Sequence, residues 1–404
     1  MNRNHLRVGA AAVAALLAFA GCGARSDTTD ESTSGGDANK TVKIGVIAPL
    51  SGDLSSFGAG IRNSVELAIR EANESGAIPG WTIELAAEDD QATPDVGQNA
   101  ATKLAGDDTV AGVVGTMNSS VAQPVIPVLD AANIPMVSPA NTLPALTKGA
   151  DLTNPVRPNA NFFRLCASDD KQGPFAAQYL LDSGITKVAT VHDKKVYGKG
   201  LVDEFAKYFE ANGGEIVAAE TINPDDKDYN TVITKIKEAN PEAIYYGGES
   251  PQAGPLSAQA KAAGLNVPLM GGDGLYDASF IDLAGAAGEG DLATSVGAPV
   301  DTLASAKAFV DAYNAAGFDS GYSAYGAYAY DAANTIIEAL KVTLPGAADV
   351  KSVRAQIVEA VGKVSFTGAT GDIAFDEFGD NKSRVLTVYK VESGAWTPVK
   401  SGEA

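Results

Sequence analysis

The sequence predicts an α/β protein built as two doubly wound parallel-sheet lobes. Two observations carry this. Short apolar strands alternate with helices whose apolar residues recur every 3.6 positions, beginning near Lys40. That rhythm pauses after Ser138 and starts again at Lys187, so the chain holds two similar α/β units. A length of 404 residues is enough for two or three domains with full cores.

The elements follow in order. Val42–Ala48 reads as a strand bounded by Pro49 and Ser51-Gly52, and the next segment places Phe57, Ile61, Val65, Ala68 and Ala72 on one helical face. Thr82–Ala87 is the second strand, and a helix near Val96–Leu104 leads to the strand Val110–Gly115. A helix near Ser120–Ala131 and the short strand Pro135–Ser138 complete the first unit. The second opens with the strand Lys187–Val191 and a helix over about Gly198–Asn212. Its further strands are Glu215–Ala218, Ala243–Gly248 and Leu269–Gly272. Helices over Ala304–Ala316, Ala324–Val342 and Ser352–Val361 follow, then a hairpin of Arg384–Tyr389 and Ala395–Val399 turning at Glu392-Ser393-Gly394. Ligands of such folds gather in a crevice at the carboxyl ends of the parallel strands.

Ahead of this body lies a segment of another kind. Arg3 and Arg7 precede an apolar run from Val8 to Ala20 that is short for a bilayer span. It ends in Phe19-Ala20-Gly21-Cys22, which resembles a bacterial lipobox, with Phe19 in place of the usual aliphatic residue. That resemblance implies a signal peptide over residues 1–21, a diacylated Cys22, and anchoring to the outer face of the cell membrane. Loss of Arg3 and Arg7 with the leader takes the formal charge from -20 to -22. Residues 23–39 are polar and cannot repay ordering entropy, so residues 22–39 are expected to form a lipidated flexible tether. Its mean reach is roughly 20–25 Å.

Composition excludes several classes. The acidic balance argues against nucleic acid, which needs clustered Lys and Arg. Only two cysteines and two histidines are present and the lipobox claims Cys22, so a four-ligand Cys/His zinc site is nearly excluded, and no cofactor is expected. Cys166, in Asn161–Cys166, reads as a buried, unreactive strand residue. Asp376–Asn381 lacks the ligand ladder of an EF-hand and reads as a turn. No Gly-x-Gly-x-x-Gly follows the first strand, and His192 is the one histidine outside the leader. An enzyme is therefore not expected.

The strand ends carry a resemblance. Ile47–Gly52 with Phe57-Gly58, Gly115–Ser120, Val137–Thr142, Val191–Gly198, Tyr245–Gly248 and Met270–Gly274 occur in the order found in the leucine/isoleucine/valine-binding protein family. The likeness runs from about residue 41 to 399. It implies a type I periplasmic binding protein fold whose chain crosses three times between lobes, one of residues 41–162 and 297–374, the other of 163–296 and 375–404. It further implies a zwitterionic ligand such as leucine, isoleucine or valine, and ABC permease subunits as partners.

The same resemblance implies roles for single residues. Ser119 offers a hydroxyl to the ligand carboxylate, Ala140 a carbonyl to the ammonium, and Thr142 a hydroxyl and N–H to the carboxylate. Tyr197 covers the ligand from the far lobe, Asp273 pairs with the ammonium, and Phe57 packs on the side chain. The physics is consistent: a buried zwitterion needs donors at one end and an acid at the other. Glu249 stands where relatives often have tyrosine, which implies a second carboxylate at the site. Gln91 and Asn118 stand where some relatives have a disulfide. Tyr322 and Tyr325 lie near a family pocket aromatic, and pocket lining and helix packing both remain open for them. Two neighbouring readings also remain open: an amide, urea or aromatic acid ligand, and a sensor that presents its ligand to a receptor kinase.

If Cys22 carries the anchor, Cys22→Ala should move the protein from the membrane fraction to the soluble one, since one acyl chain binds only marginally and retention takes two or more. Continued membrane association, with no lipid mass on the wild-type N-terminus, would contradict this.

Overall fold

The computed structural model describes residues 40–403, so the expected leader and tether lie outside the described residues. The first half alternates β1 (Lys40–Ala48), α1 (Ser55–Glu74), β2 (Trp81–Asp89), α2 (Pro94–Gly106), β3 (Val110–Gly115), α3 (Ser119–Ala131), β4 (Met136–Ser138), α4 (Ala145–Lys148) and β5 (Phe162–Arg164). The second unit runs α5 (Asp169–Asp182), β6 (Lys187–His192), α6 (Val196–Ala211), β7 (Glu215–Thr221), α7 (Asn230–Glu238), β8 (Ala243–Gly247), α8 (Ser250–Ala262), β9 (Leu269–Gly271), α9 (Ala278–Ala284) and β10 (Leu292–Ser295). The remainder is α10 (Lys307–Ala315), α11 (Gly326–Thr343), α12 (Arg354–Val361) and the strands β11 (Ser365–Gly368), β12 (Gly371–Ala374), β13 (Val385–Glu392) and β14 (Ala395–Glu403).

Two main sheets result. The first has strand order β2-β1-β3-β4-β5, all parallel. The second has order β14-β13-β10-β9-β8-β6-β7, parallel except for β13 and β14. Alternation along each strand feeds two cores per sheet. Val42, Ile44 and Val46 of β1 face α1 and α11, and Ile47 joins the opposite core under α2 and α3. The predicted stripe Phe57, Ile61, Val65, Ala68 and Ala72 is the buried face of α1. In the second sheet, α5 and α6 cover one face, and α7, α8 and α9 the other.

The chain passes between sheets after β5, after β10 and after β12, because α11 packs on the first sheet and β13 pairs in the second. This is the type I periplasmic binding protein fold. The expected boundary between residues 162 and 163 falls inside β5, whose three residues all pair with β4. Cys166 is buried and free, and it lies beyond the end of β5 instead of within a strand. Burial pushes its thiol well up, which leaves it protonated and inert. The C-terminal hairpin closes on Ser393 and Gly394, both at positive φ (55° and 75°), as a two-residue primed turn requires.

One charge pair ties the crossovers. Arg164, fully buried at the end of β5, donates to Asp380 at 2.6 Å and to the carbonyls of Asn141 and Leu143 at 3.0 and 2.9 Å. A fourth bond reaches the Thr147 hydroxyl. The guanidinium thus fixes the loop after β4 to the segment entering β13. Burial raises the Asp380 pKa, but the Arg164 charge and hydrogen bond lower it more, so the net shift is downward. The pair's stabilisation is therefore full above the ordinary carboxyl pKa of 3.8 and fades as pH falls below it. Asp380→Ala leaves the buried guanidinium unpaired and should cost about 3–5 kcal/mol near neutral pH. Denaturant titration at pH 7 checks this; an unchanged midpoint would contradict it.

Candidate functional site

The site forms where carboxyl ends of strands from both sheets face each other. Backbone geometry at two glycines starts it. Gly115 ends β3 at φ 141°, a conformation that side chains avoid, and a Cβ there would strike the Ile47 carbonyl. Gly248 follows β8 at φ 155°, and a Cβ there would strike the Tyr246 ring. These turns deliver Asn118 and Ser119 from the first lobe and Glu249 from the second.

Five of the seven expected ligand residues line one enclosed space: Ser119, Ala140, Tyr197, Glu249 and Asp273, joined by Asn118 and Tyr325. The space is only about 10 Å³, room for about one water. The other two expected residues stand back from it. Phe57 is fully buried and supports the wall by packing on Tyr325, with ring centroids 5.4 Å apart. Thr142 lies behind the loop after β4: its carbonyl accepts from Asp169 N at 2.9 Å. Its buried hydroxyl faces the Asp169 carboxyl outside hydrogen-bond geometry.

Asp273 is the electrostatic centre. It is 2 % exposed, and its carboxylate accepts from three neutral donors. Gln172 Nε2 and Tyr197 Oη reach Oδ1 at 2.9 and 2.8 Å, and Tyr325 Oη reaches Oδ2 at 2.8 Å. Burial raises its pKa against these hydrogen bonds. Tyr197 and Tyr325 are in turn pushed well up by burial and by the Asp273 charge, so both remain neutral donors. Beneath it, Gln172 also donates to Asp169 at 3.2 Å. Asp169 is fully buried, and burial together with the Asp273 charge drives its pKa far up.

Glu249 differs. Its Oε2 accepts from Lys195 Nζ at 2.7 Å and its Oε1 from Asn118 Nδ2 at 2.7 Å. Burial depresses the Lys195 pKa, but the Glu249 charge more than restores it. The second carboxylate of the site therefore already has a cation beside it. Asp193 beside it is raised to about 7, by burial first and then by the Glu249 charge.

Sequence reasoning left the register of Tyr325 open and gave no role to Lys195, Gln172 or Asp169. Lys195 lies inside the strand-end segment Val191–Gly198, and Asn118 directly precedes Ser119, so position alone flagged them. Gln172 carried no local signal. Tyr322 belongs to the outer aromatic cluster around Phe309 and Tyr313 and bonds the Asp301 carboxylate. Among the described residues no group of three or more His, Cys, Asp or Glu could hold a metal ion. None of their helices is long and apolar enough to cross a membrane.

Two lobes closing loops over a small polar cavity define a substrate-binding protein. Residues 41–395 match the family model described as periplasmic binding protein, and the chain belongs to that family. It is similar to the Leu/Ile/Val-binding protein homolog 1 of Brucella abortus, at 34% identity over 362 residues, covering 89% of this chain and 93% of that one. Among solved structures it resembles the branched-chain amino acid transporter substrate-binding protein LivJ of Streptococcus pneumoniae in complex with isoleucine (28% identity, TM-score 0.80, 90% and 100% of the two chains). It also resembles the leucine-binding protein LivK of Thermotoga maritima (27% identity, TM-score 0.79, 89% and 98%). These relatives are named as binding proteins, and the chain is a binding protein, not an enzyme.

Hydrogen bonds that cross between the lobes at the cleft include Asn118 to Glu249, Tyr325 to Asp273, and Ser56 to Asp277 at 3.2 Å. A bond to a charged acceptor is worth about 1.5–3 kcal/mol. Asn118→Ala should therefore shift the ligand-free protein toward open forms, read as a larger radius of gyration in small-angle scattering. A radius equal to wild type would contradict the latch.

Proposed function

We propose that this protein is an extracytoplasmic, lipid-anchored receptor that captures leucine, isoleucine or valine between its lobes and delivers it to ABC permease subunits. The observation that carries the reading is the Asp273 carboxylate: buried in the interlobe cavity, held by three neutral donors, and paired with no lysine or arginine among the described residues. Such a group is stabilised by an incoming ammonium.

The rest of the cavity suits the other end of the ligand. Ser119 opens α3, whose first turn has N–H groups without intrahelical acceptors, and its hydroxyl borders the same space. Together they can hold a carboxylate. Glu249, satisfied by Lys195 and Asn118, serves as a rim and latch residue. With room for about one water, the cavity must open before an amino acid enters. Hinge closure then completes a site whose parts belong to different lobes. The names of the relatives support leucine, isoleucine or valine as ligand. The lipobox-like Cys22 and the polar segment after it support a tethered location.

Asp273→Asn keeps the shape and removes the charge. Truncating one partner of a buried charge pair typically costs about 2–5 kcal/mol, or roughly 30- to 5000-fold in Kd. Calorimetric titration should show that loss for leucine and little change for its 2-hydroxy analogue. Leucine binding as tight as wild type in Asp273→Asn would overturn the assignment.

A further inference from the structure

A second and larger cavity of about 490 Å³ lies between the lobes on the far side of Tyr325. Asp273 and Tyr325 stand between the two spaces and line both. Its walls have a consistent chemistry. Six aromatic side chains face it, and Tyr276, Tyr389 and Trp396 form one continuous wall. Ring centroids there are 4.0 Å apart for Tyr276 and Tyr389, and 5.9 Å for Tyr276 and Trp396.

Four aspartates also line it: Asp273, Asp277, Asp282 and Asp301. No lysine, arginine or histidine is among the lining residues. The acids that are engaged have neutral partners. Asp277 accepts from Ser279 N at 2.9 Å and from the Ser56 hydroxyl, and Asp301 accepts from the Tyr322 hydroxyl. A separate observation points to a ligand. Tyr328 is only 6% exposed, yet it lines the cavity and its hydroxyl has no hydrogen-bond partner among the described residues. A buried phenol of this kind ordinarily finds a partner.

We propose that this cavity is a binding compartment for a monovalent organic cation, an alkyl or quaternary ammonium carrying an apolar or aromatic body, distinct from the amino-acid site. Carboxylates that lack a cation repel anions and attract an ammonium. Aromatic faces hold the same ammonium through the negative potential of their rings and bury its organic body. A neutral guest would use the aromatic walls and leave the carboxylates unanswered. An amino acid would bring a carboxylate into a space lined by four aspartates.

The test uses the full chain and benzyltrimethylammonium as probe, with 2-phenylethanol as the neutral control and phenylacetate as the anionic one. Calorimetric titration should give binding of the cation at least tenfold tighter than either control. The double variant Asp282→Asn with Asp301→Asn should weaken the cation at least tenfold while changing leucine affinity less than twofold. Both positions are solvent-exposed, and asparagine keeps a carbonyl acceptor for Tyr322, so the variant retains the fold. Absence of cation binding to a protein that binds leucine would overturn the proposal. So would equal binding of 2-phenylethanol, or an unchanged affinity in the double variant. Cation binding by a protein that ignores leucine would support this compartment and refute the amino-acid reading instead.

Discussion

Asp273 sets the terms for the rest of this structure. A carboxylate buried between two lobes, with no lysine or arginine among the described residues beside it, persists only if neutral donors surround it and a closed cleft keeps water away. The donors come from α5, α6 and the entry to α11, so both lobes contribute. Gln172 has a further task, since its carbonyl accepts from Asp273 N at 2.9 Å and from the Thr294 hydroxyl at 2.6 Å. That fixes the amide's orientation and leaves both its hydrogens for acids.

The contrast with Glu249 explains why two acids at one cavity do different work. Glu249 has a lysine at 2.7 Å and a cross-lobe amide; Asp273 has three uncharged donors. A paired acid gains little from a second cation, while an unpaired buried one gains much. On the proposed reading the ligand ammonium goes to Asp273, and Glu249 holds the lobes together. The Arg164–Asp380 pair works at longer range: by bonding the Asn141 and Leu143 carbonyls, it fixes the loop that carries Ala140.

Much of the fold was legible because its signals are local. The 3.6-residue stripe of α1 and the two-residue alternation of the strands each need only a short window of sequence. Helices α5, α7, α8 and α9 were not read. In α8, Ser-Pro-Gln-Ala-Gly-Pro-Leu-Ser-Ala-Gln-Ala-Lys-Ala offers almost no apolar stripe, and its small residues are buried by close packing against α9. Pro174 inside α5 hid that helix in the same way. At the site, residues at strand ends such as Ser119 and Asp273 were legible, whereas Gln172 lies in the first turn of the unread helix α5 and over a hundred residues from its partner. The pairing of Glu249 with Lys195 was not read, because the two are 54 positions apart, a separation that local reading does not span.

The central claim is that a ligand ammonium binds the Asp273 carboxylate inside the closed cleft. A crystal structure of the chain grown with leucine tests it most directly. The account predicts closed lobes, the leucine nitrogen within about 3 Å of an Asp273 oxygen, and its carboxylate at Ser119. A leucine nitrogen bonded to Glu249 in place of Asp273, or leucine seated outside this cavity, would contradict it.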